Sequence, residues 1–236
     1  MRFSRHFFRA AAVCAFLSAA TTLCLIFLPR FYQPVPDFDA RMGLINNAAY
    51  VLRSWVYLVH PFLVVTSALA VAVLCVTRAA GLASVGLLGF LLWGGTEAAQ
   101  QSLTLVALDR TWRAAWPAAD AAARELIRTH VATYDALWDA MYFLLLLGFM
   151  VGNVCLALAT RRELGLGRWV SLAYWAGAAI TLPILVTEVG GPALPDTFDA
   201  WLYPALQPLG RSLVGLWLWR QAGRLRDGSL TVGAAA

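Results

Sequence analysis

No lysine occurs anywhere in the 236-residue chain; all 18 basic residues are arginine. That absence excludes a retinal Schiff base and every other lysine-imine chemistry. Histidine is almost absent as well, with only His6, His60 and His130. His6 precedes the first apolar run and His130 sits at the mouth of the fourth, so a three-histidine zinc site is not expected. A bis-histidine haem would need His60 and His130 at one depth, which the helical rise disfavours. The four cysteines, Cys14, Cys24, Cys75 and Cys155, fall inside apolar runs without CxxC spacing, and read as small packing residues rather than a disulfide or metal framework. HExxH, GxSxG and phosphate-cradling glycine loops are missing. Neither a cofactor nor a metal is expected.

Charge is scarce too. Only 13% of residues are charged and 61% are hydrophobic, against about 25% charged in an average soluble domain. The net charge of +5 comes from arginines at the ends of apolar runs. It reads as a topology signal and not as nucleic-acid affinity.

What the chain does have is apolar length. Six runs reach the roughly 20 residues that cross about 30 Å of hydrocarbon: 7–28, 51–76, 82–108, 133–160, 169–189 and 198–219. The expected fold is therefore all-α, a polytopic membrane bundle of six transmembrane helices in a single domain with the lipid bilayer as its partner. Arg2, Arg5 and Arg9 before the first run resemble a signal peptide. The run is longer than a usual signal core, however, and Ser18-Ala19-Ala20 lies inside it, so a retained first helix is expected. With the N-terminus inside, ten loop arginines fall on the inner side (2, 5, 9, 78, 161, 162, 168, 220, 224 and 226) and six on the outer (30, 41, 110, 113, 124 and 128). This places both termini in the cytoplasm of a bacterial inner membrane. The loop with Pro192, Pro195, Asp196 and Asp199 has no arginine, which suits an outer position.

In the third loop, Trp112 and Trp116 suit a membrane interface. Pro117 can open a helix, so an outer interfacial helix is expected over 118–130, running on into the fourth span. Gly148 and Gly152 form a GxxxG, and Ala132, Ala136 and Ala140 a small-residue ridge; both mark close helix contacts. A homo-oligomer stays open.

The polar residues within the runs are periodic. They are Arg53, Tyr57 and His60; Glu97, Gln100, Gln101 and Thr104; Asp135, Asp139 and Tyr142; and Tyr203, Gln207 and Arg211. Each set steps by three or four and so lines one face of its helix. Four polar faces in one bundle should meet, because polar groups facing lipid are costly. At 1.5 Å per residue, His60 lies roughly 13 Å, Glu97 about 16 Å and Arg211 about 18 Å below the outer end of its span. Asp135, Asp139 and Glu188 lie nearer the surface. The pattern predicts a polar pocket open to the outer side.

Glu97 is the costliest of these residues, at about 2.5 to 3.5 kcal/mol on insertion scales. It calls for a partner, a proton or water. Arg211, at similar depth and of opposite charge, is the expected partner. His60 precedes Pro61, which removes a backbone donor and can kink the helix. The acids Glu97, Asp135, Asp139 and Glu188 outnumber Arg53 and Arg211, so the expected field favours a cation.

The six-run layout resembles a bacterial family of small six-span membrane proteins labelled only as a domain of unknown function. The resemblance is carried by Arg53…His60-Pro61, the Glu97 run and the ending Tyr203-Pro204…Leu209-Gly210-Arg211…Gly215-Leu216-Trp217-Leu218-Trp219. It implies a helical inner-membrane protein and no established activity. Three functions stay open. The first is binding, sensing or passing a small polar solute, proton or cation. The second is an enzyme acting on a lipid or quinone at the outer leaflet, with Glu97 or His60 as acid or base and Arg53 or Arg211 on an anionic head group. The third is a non-catalytic assembly subunit.

Overall fold

The computed structural model describes residues 2–195, 198, 202–224 and 229–231. Asp196, Asp199 and Arg226, which entered the loop reading above, lie outside the described residues. The fold is all-α. Its helices are α1 (Arg5–Phe27), the short α2 (Phe38–Met42), α3 (Ala48–Leu103), α4 (Ala121–Thr160), α5 (Leu166–Glu188) and α6 (Tyr203–Arg224). A two-stranded ribbon of three residue pairs is not part of the bundle proper: β1 (Arg2–Ser4) and β2 (Ser229–Thr231) pair antiparallel and tie the two tails together.

Among the described residues, four helical stretches are long and apolar enough to cross a membrane: Arg5–Phe31, Ala48–Ala118, Ala121–Thr160 and Leu166–Glu188. Large apolar side chains such as Phe62, Leu88, Leu137 and Leu209 are exposed around the bundle, as expected where lipid is the solvent. The second stretch hides a turn. Straight, the 56 residues of α3 would reach about 84 Å. At Ala79 the backbone leaves helical geometry (φ −150°, ψ 53°), between Arg78 and the helix-weakening Gly81. The two arms then pack side by side: a Cβ on Gly94 would meet Val65 and Pro61 of the other arm.

The helices form a closed ring of neighbours. α1 packs on α3 and α6, α3 on α4, α4 on α5, and α5 on α6. Small residues allow the approach. Ala11, Ala12 and Ala15 of α1 are fully buried in one core with Val64, Val71, Val214 and Leu218. The closest crossing is that of α3 and α4, where a Cβ on Gly89 would lie 2.5 Å from the Gly152 backbone nitrogen and 2.8 Å from the Gly148 carbonyl oxygen. This is the contact that the GxxxG marks. Ala132, Ala136 and Ala140, expected as a second close contact, are exposed instead. They lie on the face of α4 turned away from α3, which at this level meets Tyr134 and Trp138.

The end of the bundle away from the two paired tails, designated outer, is an ordered cap. α3 continues as a π-helix over Thr104–Arg113, whose wider turn carries Asp109 and Arg113 inward, both buried. The helix expected over 118–130 begins at Ala121 and is continuous with the fourth apolar run as α4. Asp120 caps α4 by accepting from the Ala123 N–H at 2.8 Å, and the helix then runs unbroken for 40 residues, about 60 Å. That is twice the hydrocarbon thickness, so its first turns stand clear of the apolar zone. Trp116 is packed inside the protein and does not face out. It is buried under the guanidinium groups of Arg124 and Arg128 and donates its indole N–H to Asp39 at 2.9 Å. Trp112 stacks on His130.

Candidate functional site

Two polar chambers, an outer one nearer the cap and an inner one deeper in the bundle, adjoin and share Arg53. The outer chamber, about 440 Å³, is lined by Arg41, Tyr50, Ser54, Gln101, Thr104, Arg113, Asp135 and Asp139 among others. Its walls are held by three connections. Arg41 grips Asp135 with both terminal nitrogens, at 2.8 and 2.5 Å. Thr104 and Tyr134 share a hydrogen bond of 2.6 Å. Arg113 donates to Asp109 at 2.6 Å and to the Tyr50 hydroxyl, which itself donates to Asp109 at 3.2 Å. Bidentate pairing of Arg41 with Asp135 raises the guanidinium above its ordinary range. Burial pushes up the Tyr32 phenol, which lies close to Arg53 in the neighbouring loop, while the Arg53 charge opposes that shift.

The inner chamber, about 170 Å³, is walled by every long helix. α1 supplies Thr22, Leu25 and Ile26. The first arm of α3 supplies Arg53, Tyr57 and His60, and the second Trp93 and Glu97. α4 gives Tyr142, Leu145, Leu146 and Phe149, α5 gives Thr181 and Ile184, and α6 gives Arg211. Pro61 has no N–H, so the Tyr57 carbonyl loses its helical donor beside the chamber. His60 is fixed through Nδ1, 2.7 Å from the Thr21 hydroxyl, and by an edge-on contact with Trp93. Its Nε2 is the ring nitrogen left for other partners. Arg53 donates to the Leu25 carbonyl at 3.4 Å and lies over Tyr57. Arg211 lies over Trp93, near enough for its charge to act on both Glu97 and His60.

Glu97 is 3% exposed. Ion pairs among the described residues include Arg41–Asp135, Arg78–Glu163 and Arg113–Asp109. Glu97 and Arg211, the expected partners, occupy the wall of one cavity, and the Arg211 charge acts on Glu97. Asp135 is matched by Arg41, and Glu188 is exposed at the end of α5 and lines neither chamber. Two arginines, one glutamate and one histidine remain around the inner chamber.

Other expected pocket residues lie elsewhere. Gln100 is fully buried and donates to the Trp138 carbonyl at 2.8 Å, a bond between α3 and α4 rather than a cavity wall. Gln207 lines a smaller cavity of about 50 Å³ with Asn153 and Tyr174, a space that also touches Arg211 and Phe149. Periodicity missed Arg41, Tyr50, Asp109, Arg113 and Thr21. For Asp109 and Arg113 a signal existed, since opposite charges four apart share a helix face. No local signal could link Arg41 to Asp135, 94 residues away. Among the described residues, no group of histidine, cysteine and acidic side chains could hold a metal.

Fold and site together define a class: an all-α bundle of membrane type that encloses stacked polar chambers. No protein-family model, curated protein or solved structure matches the chain.

Proposed function

We propose that the protein is a six-span inner-membrane protein, with both termini cytoplasmic, that binds a small polar solute entering from the outer side. The count of six takes the two arms of α3 separately and adds α6 to the remaining long helices. The observation that carries the reading is the inner chamber itself. An assembly subunit whose polar stripes merely lock its helices would close them on one another. Here Arg53, His60, Glu97 and Arg211 surround about 170 Å³ of space. A polar cavity of that size holds several waters, at roughly 30 Å³ each, and those waters are what a solute displaces. The larger outer chamber, sharing Arg53, is the approach. The family resemblance above is part of this proposal and adds no activity to it.

Accessibility labelling tests it. In a chain with its four cysteines replaced by alanine, Tyr57→Cys is expected to react with a neutral, membrane-impermeant thiol reagent added outside. The rate should be at least about tenfold above that of Val59→Cys, whose side chain has similar depth but is exposed on the outside of the bundle. Equal rates would remove the outward chamber.

A further inference from the structure

We infer that the inner chamber takes a small organic monoanion, a carboxylate carried on an apolar body of benzene-like size. The inference rests on the solute-binding reading and specifies its ligand.

Charge is the first argument. Arg53 and Arg211 line the chamber against the single acid Glu97, so its formal sum is +1 with an ionised Glu97 and a neutral His60. The sequence count leaned the other way because it included Asp135, which Arg41 neutralises, Asp139, which lines the outer chamber, and Glu188, which lines neither chamber. Inside a low-dielectric bundle a net charge of this kind acts strongly on whatever enters. The fork of an arginine matches a carboxylate with two parallel hydrogen bonds. Two such groups reach the chamber from different helices, Arg53 at its outer limit and Arg211 on α6.

Shape and polarity are the second. Trp93, Leu145, Phe149 and Ile184 give the chamber an apolar side. A bare phosphate would leave that side unpartnered, and Glu97 would oppose its second charge. An engineered cavity of about 150 Å³ in another protein holds benzene, so about 170 Å³ accommodates an aromatic or short aliphatic acid. It does not accommodate a two-chain lipid. Tyr57 and Tyr142 bring their phenol rings to the same space.

The test is a binding panel on the full chain in nanodiscs, read by calorimetry, with benzoate, benzyl alcohol, benzylammonium and inorganic phosphate as probes. Benzoate is expected to bind saturably, at least about tenfold tighter than each of the others. Arg53→Gln and Arg211→Gln should each weaken benzoate about tenfold while leaving any benzyl alcohol affinity within about twofold. Equal or tighter binding of benzyl alcohol or benzylammonium overturns the anion inference and leaves the chamber reading standing. Tighter phosphate binding overturns it in favour of an inorganic anion or a lipid phosphate, and vesicles of anionic lipid that compete with phosphate would identify the second source. Should the arginine variants not fold, the panel on the unaltered protein decides alone. If no probe binds while Tyr57→Cys is still labelled from outside, only this inference falls; if labelling fails as well, both fall.

Discussion

An Arg113→Ala variant is expected to lose about 3 to 5 kcal/mol of stability, the range for breaking one side of a buried ion pair. The Arg113 and Asp109 side chains are 2% and 10% exposed, too little for water to replace the lost partner. Alanine would leave the Asp109 carboxylate to the Tyr50 hydroxyl, a weaker, neutral donor at 3.2 Å. It would also remove the cation over the Tyr50 ring. The pair sits in the π-helix that links α3 to the outer cap, so the outer chamber should open with it. Thermal unfolding in nanodiscs measures the loss. An Asp109→Leu/Arg113→Met double variant should lose less than Arg113→Ala alone, because no charge is then stranded. If the single variant melts with the unaltered protein, the buried pair contributes nothing and the account of the cap is wrong.

The second large effect is expected at Gly89. Adding one methyl group as Gly89→Ala places a carbon 2.5 Å from the backbone nitrogen of Gly152 and 2.8 Å from the carbonyl oxygen of Gly148. Backbone cannot turn aside as a side chain can, so α3 and α4 must separate along their crossing. Overpacking of this kind costs typically 1–3 kcal/mol and sometimes more; about 3 kcal/mol is expected here. Gly95, six residues along the same helix, has open space where its Cβ would be, and Gly95→Ala should stabilise by roughly 0.5–1 kcal/mol. Two identical substitutions on one helix thus have opposite signs. Unfolding midpoints that move in the same direction would show that helix propensity, not helix contact, governs this region.

These two sites also show what the amino-acid sequence discloses. A glycine pair spaced by four is a local pattern, and it marks the α3–α4 crossing without any knowledge of the partner. Helical period likewise brings Arg53, Tyr57 and His60 to one face, and Glu97 and Arg211 to others. Mutual facing then follows from the cost of polar groups in lipid. The outer cap obeys no such period. Trp116 has the composition of an interface residue, yet α2 and the first turns of α4 bury it. Arg41 reads as a loop charge until the fold carries it to Asp135. Which charges are neutralised is likewise decided between distant segments, as Arg41 and Asp135 show. Gln100 and Glu97 differ by three residues and share a face, but only the structure separates the amide bonded to α4 from the carboxyl at the cavity.

The ring of helices closes through α6, and α6 carries Arg211. The polypeptide emerges in order, so Glu97 and His60 enter the membrane more than a hundred residues before the cation that faces them. Until α6 docks between α5 and α1, those two side chains have no such wall, and whatever solvates them in the interval must leave or be enclosed when it arrives. Assembly of the bundle and formation of the binding space are therefore a single event. A chain halted before α6 would hold nearly every residue of the inner chamber and still have no chamber.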